Sequence, residues 1–248
     1  MIRQYGIWII ATFLIGQGCQ RKQTYFAYYD ASVYRVDEKL KKEDSTTLAT
    51  IGPYKIKLDE QMNAVIGQNA EEMIKAKPGS TLTNWMADAM AESYERQARE
   101  KLDFTIANYG GIRINAVAAG DLTLGKMYEI MPFENQLVVM DLNGVQVKQL
   151  LDRIAAYGGW PVSEGLQFEI RDSTAINILI QGTPWKAGGS YRIGLPDYVA
   201  NGGDDFDFLK PLPRVNSGLL IRDLLISDVK RKKVLTPNGQ VRIKQTQP

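Results

Sequence analysis

Asn108-Tyr109-Gly110-Gly111-Ile112-Arg113 is the first of four short runs whose residue types can do chemistry. Adjacent glycines let the main chain adopt positive φ and bring its N–H groups close to a ligand. Asn108 adds an amide and Arg113 a guanidinium fork, suited to ribose hydroxyls or a carboxylate. No Lys-Ser or Lys-Thr pair follows the glycines, so the run is not a phosphate-cradling P-loop. Pro132-Phe133-Glu134-Asn135 sets an aromatic beside a proline, either as core packing or as a plate on which a base can stack. Trp160-Pro161-Val162-Ser163-Glu164-Gly165 ends in a glycine that would let a flat ligand approach the backbone. Tyr198-Val199-Ala200-Asn201-Gly202-Gly203-Asp204-Asp205 places an aromatic before a glycine turn that ends in carboxylates. A carboxylate held there can accept two hydrogen bonds from vicinal sugar hydroxyls. Taken singly, each run is equally compatible with an ordinary turn or core position.

What the composition lacks narrows the chemistry further. The 248 residues contain no histidine, so no Ser-His-Asp or Cys-His triad and no imidazole-ligated zinc can be built from them. A single cysteine excludes an intramolecular disulfide and a cysteine-rich metal cluster. Carboxylate, Lys, Tyr and Ser chemistry remain. Lys plus Arg is 30 against 28 for Asp plus Glu, a net charge of +2, which argues against nucleic acid as a partner. The one basic run, Lys230 to Lys233, reads as a solvated helix end.

These runs need elements to hold them, and the apolar spacing supplies alternating helices and strands. Leu82, Trp85, Met86, Ala89, Met90 and Tyr94 form one stripe of a helix that Ser80 or Thr81 can cap. Asp103 to Ala107 is a short buried strand leading into Asn108, and Gln136 to Leu142 is a strand leaving Asn135. A short helix or turn is expected over 123–130, a helix over 145–157 after the Asn143-Gly144 turn, and strands over 166–170, 175–181 and 190–195. A weak helix over 48–66 with Pro53 in its first turn, an amphipathic helix over 219–232 and a last strand over 241–244 complete the pattern. The order lacks strict βαβ alternation, so the fold class is α+β with a mixed β-sheet packed with helices.

The N-terminal residues follow different rules. Ile7 to Ile15 is apolar, too short to span a bilayer and suited to the hydrophobic region of a signal peptide. Small residues and the lone Cys19 follow it, a pattern similar to a bacterial lipoprotein signal, with Gly16 where Leu is common and Gln17 where a smaller residue is usual. The alternative is a short anchor or buried helix with an incidental cysteine. The expected organisation is a signal peptide over 1–18 with Cys19 lipidated, a polar tether over 19–47 with a first strand near Val33 to Val36, and one domain over 48–248. Export to the periplasm or cell envelope follows, with a lipid anchor in a membrane.

Taken together and in this order, the four runs resemble the C-terminal domain of the 5′-nucleotidase family, from about Thr81 to about Leu212. The resemblance implies a domain that holds the nucleoside while a separate N-terminal metallophosphatase domain hydrolyses the phosphate ester. It implies that Phe133 and Tyr198 clamp the base from its two faces. It further implies that Asn108 and Asn135 contact the base edge or neighbouring sugar atoms, that Arg113 and Asp204 hold the ribose side, and that Gly165 lies near the base. Tyr198 stands where Phe is more frequent, keeping the stacking face and adding a hydroxyl. Where the family often has a further ligand-contacting Arg, this chain reads Lys75-Ala76-Lys77.

The family's catalytic centre uses two metals held by Asp, Asn and several His, and nothing resembling that domain precedes Thr81. The chain is therefore expected to have no catalytic residues, metal ligands or cofactor of its own, divalent metals belonging to a partner. The expected function is nucleoside or nucleotide recognition, as the specificity half of a 5′-nucleotidase-type hydrolase in nucleotide catabolism, with a separate metallophosphatase chain as partner. The alternative is a non-catalytic, cell-surface nucleotide-binding lipoprotein.

Overall fold

A computed structural model of the chain describes residues 44–246 together with Val33 and Arg35. The expected signal segment, Cys19 and most of the tether lie outside these residues, and Val33 and Arg35 belong to no regular element. The chain divides into two units, Met1–Leu48 and Ala49–Pro248.

The first helix, α1 (Ser45–Met62), starts where Asp44 Oδ1 accepts from the amides of Thr46 and Thr47 at 3.0 and 3.3 Å. Because the cap lies at Asp44, Pro53 falls inside the helix and not in its first turn. The helix also stops early, and β1 (Val65–Asn69) is a strand where helix was expected through Ile66. In chain order there follow β2 (Met73–Ile74), α2 (Thr81–Ala98), β3 (Phe104–Thr105), β4 (Ala116–Val117), β5 (Gly120–Thr123) and α3 (Leu124–Ile130). The middle of the chain gives β6 (Gln136–Asn143), α4 (Gly144–Ala156), β7 (Leu166–Arg171), β8 (Thr174–Ile180), β9 (Thr183–Pro184) and β10 (Ser190–Pro196). The last elements are α5 (Asp197–Ala200), β11 (Val215–Leu220), α6 (Ile221–Lys232), β12 (Val234–Leu235) and β13 (Ile243–Gln245).

The architecture is α+β with mixed sheets, as the element order predicts. A central sheet of order β11-β6-β10-β3 pairs β6 with β10 antiparallel and β10 with β3 parallel. Side chains on a strand alternate between faces. On β6, Val138, Met140 and Leu142 enter one hydrophobic cluster, and Leu137 and Val139 enter a second. The first cluster is filled by α4 (Val147, Leu150, Leu151, Ile154), the β7–β8 hairpin, Trp160 and Phe206. The second is filled by the stripe of α2 (Leu82, Met86, Met90), by α3 and by α6 (Leu224, Leu225, Val229). The central sheet is thus a partition between two cores.

Local capping fixes the helices that flank it. Asn143 and Gln146 form a reciprocal box, each side chain accepting from the other's amide at 2.9 Å, so the Asn143-Gly144 turn is the start of α4. A Cβ on Gly144 would stand 2.0 Å from the Lys186 carbonyl oxygen, which accounts for the glycine. Ser80 is the N-cap residue of α2, and its N–H donates to Thr83 Oγ1 at 2.7 Å.

Candidate functional site

The seam between the two cores is where the chemistry-bearing loops emerge. Ile106 belongs to the first cluster and Ala107 to the second, and Asn108 follows directly. Residues Tyr109–Gly111 then form a 3₁₀ turn, closed by the Gly111 N–H donating to the Asn108 carbonyl at 2.9 Å. A Cβ on Gly111 would lie 2.9 Å from Asn108 Oδ1, so the glycine leaves room for that amide. The loop is tied to α3 by the Arg113 N–H, which donates to the Ile130 carbonyl at 2.9 Å. Asn108 is 7% exposed, and its Oδ1 is buried with no hydrogen-bond partner. An unpaired buried acceptor costs free energy.

The second loop leaves α3 through Met131, which is fully buried, and carries Phe133 with its ring 38% exposed. The Arg113 guanidinium carbon lies 5.5 Å from the Phe133 ring centroid, within cation–π range. The third loop leaves β10 through the short helix α5, where Val199 and Ala200 are buried and Tyr198 is 43% exposed. Its glycines are required by geometry. Gly202 has φ +86°, and a Cβ on Gly203 would stand 2.4 Å from the Tyr198 ring. Asp204 and Asp205 both adopt left-handed backbone, φ 52° and 61°. Such conformations in non-glycine residues persist where their surroundings hold them. Here a tyrosine hydroxyl bonds each carboxylate: Tyr198 donates to Asp204 Oδ1 at 3.2 Å and Tyr157 to Asp205 Oδ2 at 2.9 Å. Burial first, then the Asp204 charge, holds the Tyr198 hydroxyl above the ordinary tyrosine range.

Six of the expected residues line one cavity of about 340 Å³: Asn108, Arg113, Phe133, Asn135, Tyr198 and Asp204, joined by Gly110. Gly165 does not line it. A Cβ there would stand 2.1 Å from the Asp103 carbonyl oxygen, so the glycine serves a close backbone crossing behind β3. Trp160, in the same run, is a core residue whose ring packs tilted against Phe206, with centroids 4.9 Å apart.

Beside the cavity the structure gathers cations that the four runs do not contain. Lys75 Nζ lies 4.2 Å and Lys77 Nζ 4.9 Å from the Tyr109 ring centroid. Lys75 also donates to the Ile112 carbonyl at 2.7 Å, and Lys77 to the Tyr157 carbonyl. Partial burial, with the Arg113 and Lys77 charges, pushes the Lys75 amine below the usual lysine range. None of the ion pairs among the described residues involves Lys75, Lys77 or Arg113. The basic run at the end of α6 is different, since Arg231 and Lys232 pair with Glu92 and the buried Asp228. Beyond the expected set, the signals for Lys75 and Lys77 were their position before α2, and for Tyr157 nothing in its neighbourhood.

The donor set does not fit a two-metal centre. The sequence has no imidazole, and among the described residues no group of three or more His, Cys, Asp or Glu side chains could hold a metal ion.

Comparison with known proteins places this architecture. A family model described as "5'-nucleotidase, C-terminal domain" matches residues 61–211. A 5'-nucleotidase of Vibrio vulnificus is 26% identical over 212 residues, covering 81% of this chain and 38% of the relative. Protein UshA of Escherichia coli is 25% identical, with 80% of this chain and 38% of the relative covered. The crystal structure of a 5'-nucleotidase precursor from Thermus thermophilus superposes with a TM-score of 0.70 at 27% identity, over 82% of this chain and 43% of that one. The chain thus spans less than half the length of these relatives. Because the match takes in residues 61–211, well over half of the 248, and carries the aromatic cavity with it, the chain belongs to the 5′-nucleotidase C-terminal domain family.

Proposed function

We propose that this chain recognises a nucleoside or nucleotide, as the substrate-specificity half of a 5′-nucleotidase-type phosphate-ester hydrolase whose catalytic chemistry a separate metallophosphatase chain supplies. The observation that carries the reading is the cavity itself, in which Asn108, Asn135, Arg113 and Asp204 converge between two half-exposed aromatic rings. Apolar walls with a few convergent polar groups are what a small-molecule site requires. In this reading Phe133 and Tyr198 stack on the base, Asn108 and Asn135 meet its edge or the adjoining sugar, and Arg113 and Asp204 hold the ribose. The cations Lys75, Lys77 and Arg113, which form no ion pair among the described residues, favour a ligand that carries a phosphate. Export and anchoring through a lipidated Cys19 belong to the same proposal, as expected of a nucleotide-scavenging hydrolase.

Calorimetric titration with purine and pyrimidine nucleosides and their monophosphates tests the reading, alone and with a metallophosphatase chain added. Binding that is tighter for the monophosphate supports it. A folded protein that binds none of them at millimolar ligand under either condition overturns it. Robust hydrolysis by this chain alone with Mn²⁺, Co²⁺ or Mg²⁺, in a preparation free of phosphatase, would overturn the division of labour. Binding without any stimulation of a partner's hydrolysis would favour a surface nucleotide-binding lipoprotein.

A further inference from the structure

The start of the C-terminal helix carries an arginine that the nucleoside site leaves unused. Arg222, in the first turn of α6, is 6% exposed and has no carboxylate partner among the described ion pairs. It also sits at the helix end where the backbone dipole disfavours a cation. Burying a guanidinium in such a place is unfavourable unless its hydrogen bonds and ring contacts offset the cost. Its contacts reach the Phe133 loop and the helix α3 that leads into it. Nη1 donates to the Phe133 carbonyl at 3.2 Å, the guanidinium carbon lies 4.1 Å from the Tyr128 ring centroid, and Nε has no partner. Its neighbours act on the same loop. The Ile221 N–H donates to the Asn135 carbonyl at 2.9 Å, and Leu220 is paired with Gln136 at the end of β11.

We propose that Arg222 is a positioning residue for the Phe133 plate. The guanidinium grips the loop by its main chain and rests over the Tyr128 ring, so the Phe133 ring is held at the cavity without being touched by Arg222. Main-chain attachment suits this task, because it fixes the loop while leaving the ring face free for a ligand. Arg222 lies outside the residues 61–211 matched by the family. The inference rests on the nucleoside reading for its binding consequence, but its mechanical consequence is independent of any ligand.

The test has two arms. Hydrogen exchange of the 133–136 amides should accelerate at least tenfold in Arg222→Met, while the Tyr198–Asp205 loop keeps its wild-type rates. In the binding arm, Arg222→Met should weaken adenosine binding about fivefold to twentyfold with Phe133 present, and less than twofold in the Phe133→Ala background. A purely structural role would give equal losses in both backgrounds. Equal losses, or unchanged exchange in the 133–136 loop, would overturn the proposal. If Arg222→Met does not fold, Arg222→Lys carries the same two measurements, since it keeps a donor and the charge but not the planar fork. If the wild type binds no nucleoside, the recognition reading fails and the exchange arm alone decides the role of Arg222.

Discussion

Tyr198 and Phe133 line the same cavity but stand on different cores. The Tyr198 wall rises from the first cluster, over Val199, Ala200 and Phe206, and the Phe133 wall from the second, over Ile130, Met131 and Ile221. The Tyr198 wall is held largely by its own short stretch of chain. Gly202 and Gly203 make the turn, Asp204 and Asp205 take left-handed backbone, and Tyr198 bonds Asp204 within the loop. The Phe133 wall is held from a distance, by Arg222 and Ile221, 89 and 86 residues further along the chain. A wall that carries its own fixings can be recognised from a motif. A wall braced from elsewhere shows its plate in the motif but not its brace.

If that contrast is right, the largest effect comes from removing the floor of the locally built wall. Phe206 is fully buried and packed against Trp160, so Phe206→Ala should cost about 3–5 kcal/mol of stability. Denaturant unfolding measures it, and a loss below about 1 kcal/mol would show that the Tyr198 loop does not depend on this core. Next in size are the plates themselves. Tyr198→Ala and Phe133→Ala should each weaken nucleoside binding by about 1–3 kcal/mol, roughly tenfold to a hundredfold, by calorimetry. Stability should fall by much less than for Phe206→Ala, because both rings are about 40% exposed. One plate mattering and the other not would dissolve the symmetry of the two walls.

The sequence makes the two walls unequally legible, and the reasons are physical. Asn108, Phe133, Asn135, Tyr198 and Asp204 could be named because the four runs, taken together and in order, resemble the 5′-nucleotidase C-terminal domain, whereas singly their glycines, proline and aromatics are those of ordinary turns. Gly165, which the resemblance puts near the base, lies outside the cavity lining and packs against the Asp103 carbonyl, since a close backbone crossing and a ligand approach leave the same mark in a sequence. Strands β6, β7, β8 and β10 announce themselves by apolar runs, whereas β1, β5 and β11 (VIGQN, GDLT, VNSGLL) do not. Their strand state is set by pairing across the sheets, not by local preference. Arg222 and Tyr128 gave no signal at all, because a buried arginine on a helix looks like a surface one until the packing is known.

The cations beside the cavity allow a smaller and sharper test. The folded-state pKa of Lys75 lies below its unfolded value, so its charged form is disfavoured in the free protein below that pKa, and the penalty disappears as pH rises through it. A bound phosphate favours the protonated amine. Affinity for adenosine monophosphate should therefore decline as pH rises through the Lys75 pKa, and affinity for adenosine should not. Lys75→Gln should cost about 1 kcal/mol, roughly fivefold, for the monophosphate only, and should flatten that decline. Equal losses for nucleoside and monophosphate would move the phosphate away from Lys75.

The smallest effect should come from the Tyr198 hydroxyl, and it separates the two roles of that side chain. Tyr198→Phe keeps the ring on Gly203 and removes only the 3.2 Å bond to Asp204. A hydrogen bond to a carboxylate is charge-assisted, but on a half-exposed pair solvent screening brings its contribution down to about 1 kcal/mol. Free base, which needs only the plate, should bind the variant as it binds wild type. A ribonucleoside should change by less than about fivefold, because Asp204 gains an unengaged oxygen but loses the contact that steadies its left-handed backbone. The folded-state pKa of the Tyr198 hydroxyl is raised, so the stability it contributes is fully present below the ordinary tyrosine pKa and is lost only as pH climbs through the raised value. The difference between Tyr198→Phe and wild type should therefore be flat from about pH 6 to pH 9. Asp204→Asn supplies the contrast: it should weaken the ribonucleoside more than the 2′-deoxynucleoside or the free base. If Tyr198→Phe cost as much as Tyr198→Ala, the hydroxyl and not the ring would be the contact with the ligand, and the plate would be the wrong description of that wall.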